Sequence, residues 1–425
     1  MTFQSLPGFR DFYPAEFTAR HHLVSAWRET SRRYGFEEYD GPPLEPLELY
    51  VEKSGDEIVE QLYNFVDKGG RAVALRPEMT PTLARMVGAR ARSLPKPIRW
   101  FSVPQLFRYE RTQRGRLREH FQWNVDVVGE ADISADAEVL AVALDSLAAL
   151  GLNSADVVAR VNDRRLLERL LTTTVGVTPE RLGAAYAAID KLGREGADRT
   201  RERLVESSGL DRGGADLVLD LLALGLDDLS TEYGAHELVG PEIERLWHYF
   251  GLLSDLGWAE HVTFDPTIVR GLAYYTGTVF EIFDRAGELR AICGGGRYDN
   301  LLAAVSDIEL PAVGFGMGDV VLGELLRDRS LLPTSAPGPD YFVVTITAEE
   351  RPLMRRVARS LRARGHSVSY ALRQVGVGKQ FKEANNRGAR RVIVLGPDEV
   401  ARGVAVERLM TTGEERQVPL TELES

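Results

Sequence analysis

The sequence predicts an α/β (α+β) chain built in several domains. Three observations predict it. Paired period-two runs around 105–128 and 279–293 read as strand pairs joined by polar turns. Strand signals nearly vanish between 163 and 248, where the pattern turns helical. After a Pro/Gly/Ser-rich stretch at 332–339, strands and helices alternate, which predicts a small separate sheet with helices on it. A chain of 425 residues also exceeds what one core usually organises.

The totals narrow the function. A hydrophobic share of 44% and a charged share of 27% are those of a soluble globular protein. No apolar run approaches the ~18 residues a membrane-spanning helix needs. The opening MTFQSLPGFRDFYP lacks the apolar core of a signal peptide, so a cytoplasmic location is expected. A single cysteine, Cys293, excludes an intrachain disulfide and a cysteine-rich zinc site. The net charge of −11 argues against a uniformly basic nucleic-acid coat but leaves room for a local basic surface.

In chain order, 15–34 reads as a helix with Phe17, Val24, Trp27 and Tyr34 on one face, followed by a short strand at 35–39 stopped by Pro42-Pro43. A strand ending at Pro77 hands over to an Ala/Leu-rich helix reaching about Arg92. Glu78 and Thr80 therefore stand where helix N–H groups are free, as a cap or as ligands. In 98–129, Arg108 and Glu110 share one strand face. Gln122, Asn124 and Asp126 share a polar face, with Phe121, Trp123, Val125 and Val127 behind it. The loop between holds Arg111, Arg114, Arg116 and Arg118 with Gln113 and Gly115, and such a cluster suits a phosphate-bearing ligand.

A helix from about 135 to 150 has Ser134 as its expected cap, and a strand at 157–161 follows. The helical stretch 163–248 reads as an insertion. Strand sequence resumes at His261 and leads to Arg270 and Gly271, the latter freeing a turn, then to Tyr274-Tyr275. A strand at 279–283, a turn at 285–288 and a return strand at 289–293 come next, and Gly294-Gly295-Gly296 gives a ligand close backbone access. Residues 311–318 read as a strand entering a helix at 319–327. Beyond the linker, Arg351 to Arg391 carries ten Arg and two Lys against one acid, Glu383, which favours a nucleic-acid surface.

The string Arg270-Gly-Leu-Ala-Tyr-Tyr-Thr-Gly-Thr-Val-Phe-Glu281, followed by Gly294-Gly-Gly-Arg-Tyr-Asp299, resembles the signature of histidyl-tRNA synthetases, a class II aminoacyl-tRNA synthetase family. The resemblance runs from Leu6 to about Leu420 and includes all three class II motifs in order. These are Gly35 to Pro42 with Glu45, the strand–basic loop–strand at 98–129, and Pro311 to Gly318 with its helix. It implies a class II synthetase-type mixed, mainly antiparallel sheet flanked by helices. The domains are then a catalytic core in two parts (1–162 and 249–331), a helical insertion (163–248) near the tRNA acceptor arm, a linker (332–339), and an anticodon-binding-type α/β domain (340–425).

The implied activity is ATP-dependent conversion of L-histidine to histidyl-adenylate, with Mg²⁺ on the phosphates, then transfer to tRNA(His) by a homodimer without membrane attachment. By the same resemblance Arg108 and Arg270 are catalytic, and with Glu110 and Arg116 they bind ATP. Histidine is met by Glu78, Met79, Thr80, Arg108, Gln122, Asp126, Arg270, Tyr274 and Tyr275, and tRNA by Gln113, Arg114, Arg373, Lys379 and Lys382. No dedicated metal ligands are implied. Two positions depart from the family. Asp126 stands where it more often has Glu. Val321 stands where it usually has an adenine-stacking arginine, with Arg297 and Arg327 as nearby substitutes. Rival readings are a synthetase-like regulatory subunit of ATP phosphoribosyltransferase in histidine biosynthesis, and a non-catalytic tRNA-sensing module.

Overall fold

The first helix, Pro14–Arg33, opens on a proline that needs no N–H partner there. It buries Leu23, Trp27, Thr30 and Ser31. Phe17, expected on that inner face, is 47% exposed, with the Arg20 guanidinium 4.5 Å from its ring centroid. The computed structural model describes residues 3–51, 61–270, 274–306 and 308–424, and the chain divides into two units, to Pro333 and from Thr334.

In chain order the strands of the first unit are β1 (Glu37–Glu38), β2 (Leu44–Pro46), β3 (Asn64–Val66), β4 (Ala72–Leu75), β5 (Ile98–Ser102), β6 (Gln105–Phe107), β7 (Glu119–Val128), β8 (Val157–Asp163), β9 (Val262–Phe264), β10 (Thr278–Asp284), β11 (Cys293–Arg297) and β12 (Ala312–Gly318). The main sheet runs β1-β5-β7-β12-β11-β10-β8-β9, with β6 added on β7. Its centre from β5 to β8 is antiparallel, and the two outermost pairs are parallel. The mixed, mainly antiparallel sheet with flanking helices is therefore observed. A small sheet, β2-β4-β3, stands beside it.

Strand alternation gives the sheet two different faces. On one, Trp123, Val125, Val127, Phe280, Ile282, Val313, Phe315 and Met317 join the main core, together with the first helix and the helix Ile133–Ala149. That second helix is capped by Asp132, whose carboxylate accepts from Ser134 N at 2.9 Å; the expected cap, Ser134, is instead the donor. The other face carries Gln122, Asn124 and Asp126 on β7 and glycines on β11 and β12. The register places Glu281, Gly294, Gly316 and Asn124 in one row across four strands.

The second hairpin strand is displaced from expectation. It is Cys293–Arg297, the glycine run itself, and 285–292 form the connecting loop. Glycine disfavours strands, but here missing side chains are what the face requires. Between β8 and β9 the described residues are mostly helical from Arg164 to Asp255, and the last helix, Gly240–Asp255, runs through position 248. Its Tyr249 and Leu253 join the main core, whereas Leu167, Ala185, Leu204 and Val218 form a smaller core that also encloses Val269.

The second unit alternates β13 (Tyr341–Thr345), a helix (Arg351–Ala363), β14 (Val368–Tyr370), a helix (Val377–Asn386) and β15 (Arg391–Leu395), the three strands being parallel. Two antiparallel strands, β16 (Val404–Leu409) and β17 (Glu415–Pro419), extend the sheet to five.

Candidate active site

Two adjoining cavities open on the polar face of the main sheet. The smaller, about 70 Å³, is lined by Glu78, Thr80, Gln122, Asn124, Asp126, Tyr274, Tyr275 and Tyr298. The larger, about 590 Å³, is lined by Glu110, Arg116, His120, Arg194, Glu281, Arg290 and Val321 among others. Arg108, Gln122 and Arg270 border both. Residues separated by more than 190 positions, Glu78 and Tyr274, thus meet: the Tyr274 hydroxyl donates to Glu78 Oε2 at 3.3 Å.

The glycines make this possible. A Cβ on Gly294 would fall 1.4 Å from Arg270 Nη1, and one on Gly314 would fall 2.0 Å from Asp126 Oδ1. Arg270 itself has φ 56°, a left-handed backbone that costs a non-glycine residue energy and is kept where the surroundings fix it. Its Nη1 donates to Glu281 Oε1 at 2.8 Å, and its Nε is buried with no hydrogen-bond partner among the described residues. Burial opposes charge on Arg270, but Tyr275 and Glu281 outweigh it and raise the guanidinium pKa. Gly271, whose turn was expected to follow, lies outside the described residues.

Arg108 is anchored by its stem, with Nε donating to Pro77 O at 2.9 Å. Its terminal nitrogens have no ion pair among the described residues. Arg108 and Glu110 lie beyond the end of β6 rather than within a strand, although the Arg108 N–H still bonds Arg118 O at 3.0 Å. Glu110 and Arg116 form an ion pair inside the larger cavity. Asp126 is buried and accepts a hydrogen bond from the Tyr298 hydroxyl. Burial pushes its pKa up to about 7, and the Tyr298 bond opposes that rise.

Not every expected residue reaches the cavities. Glu78 and Thr80 line the smaller one, and the N-cap of the helix Thr80–Arg90 is Met79, without a side-chain bond. The Met79 side chain is fully buried, 4.0 Å from Arg76 Nη1, and lines neither cavity. Gln113 bridges to Arg116 across the turn of the basic loop. Arg114 pairs with Glu324 and Asp328 at 3.2 and 3.1 Å. Arg118 lies over the Tyr109 ring at 4.1 Å. Arg373, Lys379 and Lys382 are exposed on the second unit. Gln380 beside them is buried, joined to Thr345 O and Val375 O at 2.8 Å each, and is a fold residue.

Neither expected substitute for Val321 holds. Arg297 is 1% exposed and locked to Asp136 and Asp299, and Arg327 does not line the cavity. Sequence reasoning assigned no role to Tyr298, Asn124, Glu281, His120, Arg194 or Arg290. Glu281 had a signal, a lone acid within an apolar strand, and Asn124 was already placed on the polar face.

The family model for histidyl-tRNA synthetase matches residues 8–318, and that for an anticodon binding domain matches 340–425. A histidine–tRNA ligase of Opitutus terrae is 44% identical over 431 residues, covering 100% of this chain and 98% of that protein. The chloroplastic/mitochondrial histidine–tRNA ligase of Arabidopsis thaliana is 40% identical, covering 98% and 85%. The crystal structure of histidyl-tRNA synthetase from Nostoc sp. PCC 7120 superposes with a TM-score of 0.85 at 26% identity, covering 100% of this chain and 99% of that one. With both matches in the expected order along one chain, the protein belongs to the histidyl-tRNA synthetase family.

Proposed function

We propose that this chain activates L-histidine with ATP and transfers it to tRNA(His), with histidine in the smaller cavity and ATP in the larger. The observation that carries the reading is Arg108 and Arg270 standing on the border the two cavities share. The histidine carboxylate is already ionised and needs no base to attack the α-phosphorus. Catalysis then rests on alignment and on positive charge where the phosphoryl group gains negative charge. Arg108 and Arg270 supply both at the junction.

Glu78 and Thr80, with Gln122, receive the substrate ammonium. Asp126 and Tyr275 meet the imidazole nitrogens, and Tyr274 lines the ring pocket. A site with these groups rejects apolar analogues because its own polar atoms would be left unpaired. Arg116 holds the far phosphate once it parts from Glu110, which faces the adenine side. Among the described residues no cluster of three His, Cys, Asp or Glu side chains is built for a metal. Mg²⁺ would accompany the nucleotide and offset charge on its phosphates. Gln113 and Arg114 read the acceptor end of tRNA, and Arg373, Lys379 and Lys382 its anticodon arm.

ATP–pyrophosphate exchange against a panel of amino acids tests the reading. Histidine alone should support exchange. No exchange with any amino acid would instead favour the regulatory-subunit or tRNA-sensing reading. A cytoplasmic homodimer is part of the proposal, and light scattering should give about twice the 47.2 kDa chain mass.

A further inference from the structure

The larger cavity contains a guanidinium that the mechanism above does not use. Arg290 lies in the loop 285–292 between β10 and β11, not in a strand. Its Cδ is 3.9 Å from where a Cβ on Gly115 would stand, and Val321 Cγ2 is 3.3 Å from the same point. Gly115, Val321 and Arg290 therefore crowd one place on the cavity wall. Arg290 makes no hydrogen bond or ion pair among the described residues. Burial and the positive charges of Arg116 and Arg194 lower its pKa, with only Glu110 opposing them. A cation kept among cations, without an acid of its own, is poised for a ligand.

That ligand group is best described as flat. The wall beside Arg290 is the apolar Val321 side chain and Gly115, whose N–H is already taken by Glu324 Oε1 at 3.1 Å. Of the phosphate-directed cations, Arg108 and Arg270 stand at the border with the smaller cavity, and Arg116 is paired with Glu110. A second planar group lines the same cavity. Neither ring nitrogen of His120 has a hydrogen-bond partner among the described residues. Burial, Arg108 and Arg10 push its pKa down to about 3, so the ring is uncharged near neutrality.

Resting on the reading of this cavity as the ATP site, we propose that Arg290 covers the adenine ring of ATP and that His120 contributes to the same base-binding end. A guanidinium plane stacks on aromatic faces, and a neutral imidazole can take a base without repelling a neighbouring cation.

The test separates the base from the phosphates. Calorimetry with ATP, adenosine and inorganic tripolyphosphate is run on the full chain and on Arg290→Ala, a loop substitution at an exposed position. ATP and adenosine should both weaken roughly 10-fold, as expected for one lost stacking partner, and tripolyphosphate should bind as before. In exchange kinetics the KM for ATP should rise by the same factor, with kcat and the KM for histidine unchanged. Adding Val321→Arg, which puts a guanidinium on the same wall, should restore adenosine binding to Arg290→Ala. Unchanged adenosine affinity in Arg290→Ala overturns the proposal, whether or not tripolyphosphate binding falls. If the unsubstituted chain itself binds no ATP, the reading of the cavity falls, and this proposal with it.

Discussion

The two cavities are built on opposite plans. In the smaller one, polar groups are largely paired before any ligand arrives: Tyr274 with Glu78, Tyr298 with Asp126. In the larger one, five arginines, 108, 116, 194, 270 and 290, face two carboxylates, Glu110 and Glu281. The first plan suits a small zwitterion recognised by geometry. The second suits a polyanion recognised by charge, because surplus guanidinium is costly to gather unless a phosphate compensates it. Arg270 takes part in both, held by Glu281 beneath the larger cavity and lying 5.6 Å from the Tyr275 ring centroid beside the smaller.

Breaking that shared position should have the largest effect. Arg270→Ala is expected to lower ATP–pyrophosphate exchange by on the order of 10²–10³, the usual cost of losing a positioned charge donor. Histidine binding measured by calorimetry should survive, since Glu78, Gln122 and Asp126 remain. Full exchange in this variant would remove Arg270 from the catalytic pair.

The next effect sharpens the contrast by acting on the smaller cavity alone. In the proposed role Asp126 accepts an imidazole N–H most strongly when ionised, and its pKa is pushed up to about 7. The KM for histidine should therefore fall as pH rises through about 7, beyond the change due to titration of the substrate. Asp126→Asn should remove that extra limb and raise the KM roughly 10- to 100-fold at higher pH, as for a lost charge-assisted hydrogen bond, leaving the KM for ATP unchanged. The sign for stability is the reverse. A carboxyl whose pKa is raised by folding costs stability as pH climbs from the unfolded value of about 3.9. Urea unfolding of Asp126→Asn should show a shallower loss over that interval. Identical pH profiles for the two proteins would remove Asp126 from imidazole recognition.

The smaller cavity was the more legible in sequence, and for a physical reason. Period-two alternation separated Gln122, Asn124 and Asp126 from Trp123 and Val125, and the structure keeps that separation across the sheet. Charge alone could place the basic loop but could not say which arginines reach the cavity. Arg116 does, whereas Arg114 and Arg118 are taken up by Glu324, Asp328 and the Tyr109 ring. Arg290 was hidden because apolar 289–293 resembled a strand, while the strand was the glycine run after it. Tyr298 was in plain view within the signature, yet its bond to Asp126 depends on a register between β11, β12 and β7 that no local pattern encodes. The strands β16 and β17 were missed at the other end of the chain, where their short runs mix polar and apolar residues.

The smallest effect is expected at Arg114, just outside the larger cavity. Its side chain is 60% exposed and pairs with Glu324 and Asp328 on the helix Asp319–Asp328. Exposed pairs of this kind contribute about 0–1 kcal/mol, so Arg114→Ala should shift the unfolding midpoint little. Exchange without tRNA should stay within about twofold, because none of the cavity cations has been removed. If Arg114 leaves its acids to meet the acceptor end, aminoacylation should weaken only in its KM for tRNA, and the salt dependence of that KM should become shallower by about one phosphate contact. An unchanged salt slope would make Arg114 a clasp between the basic loop and that helix, and leave recognition of the acceptor end to its neighbours.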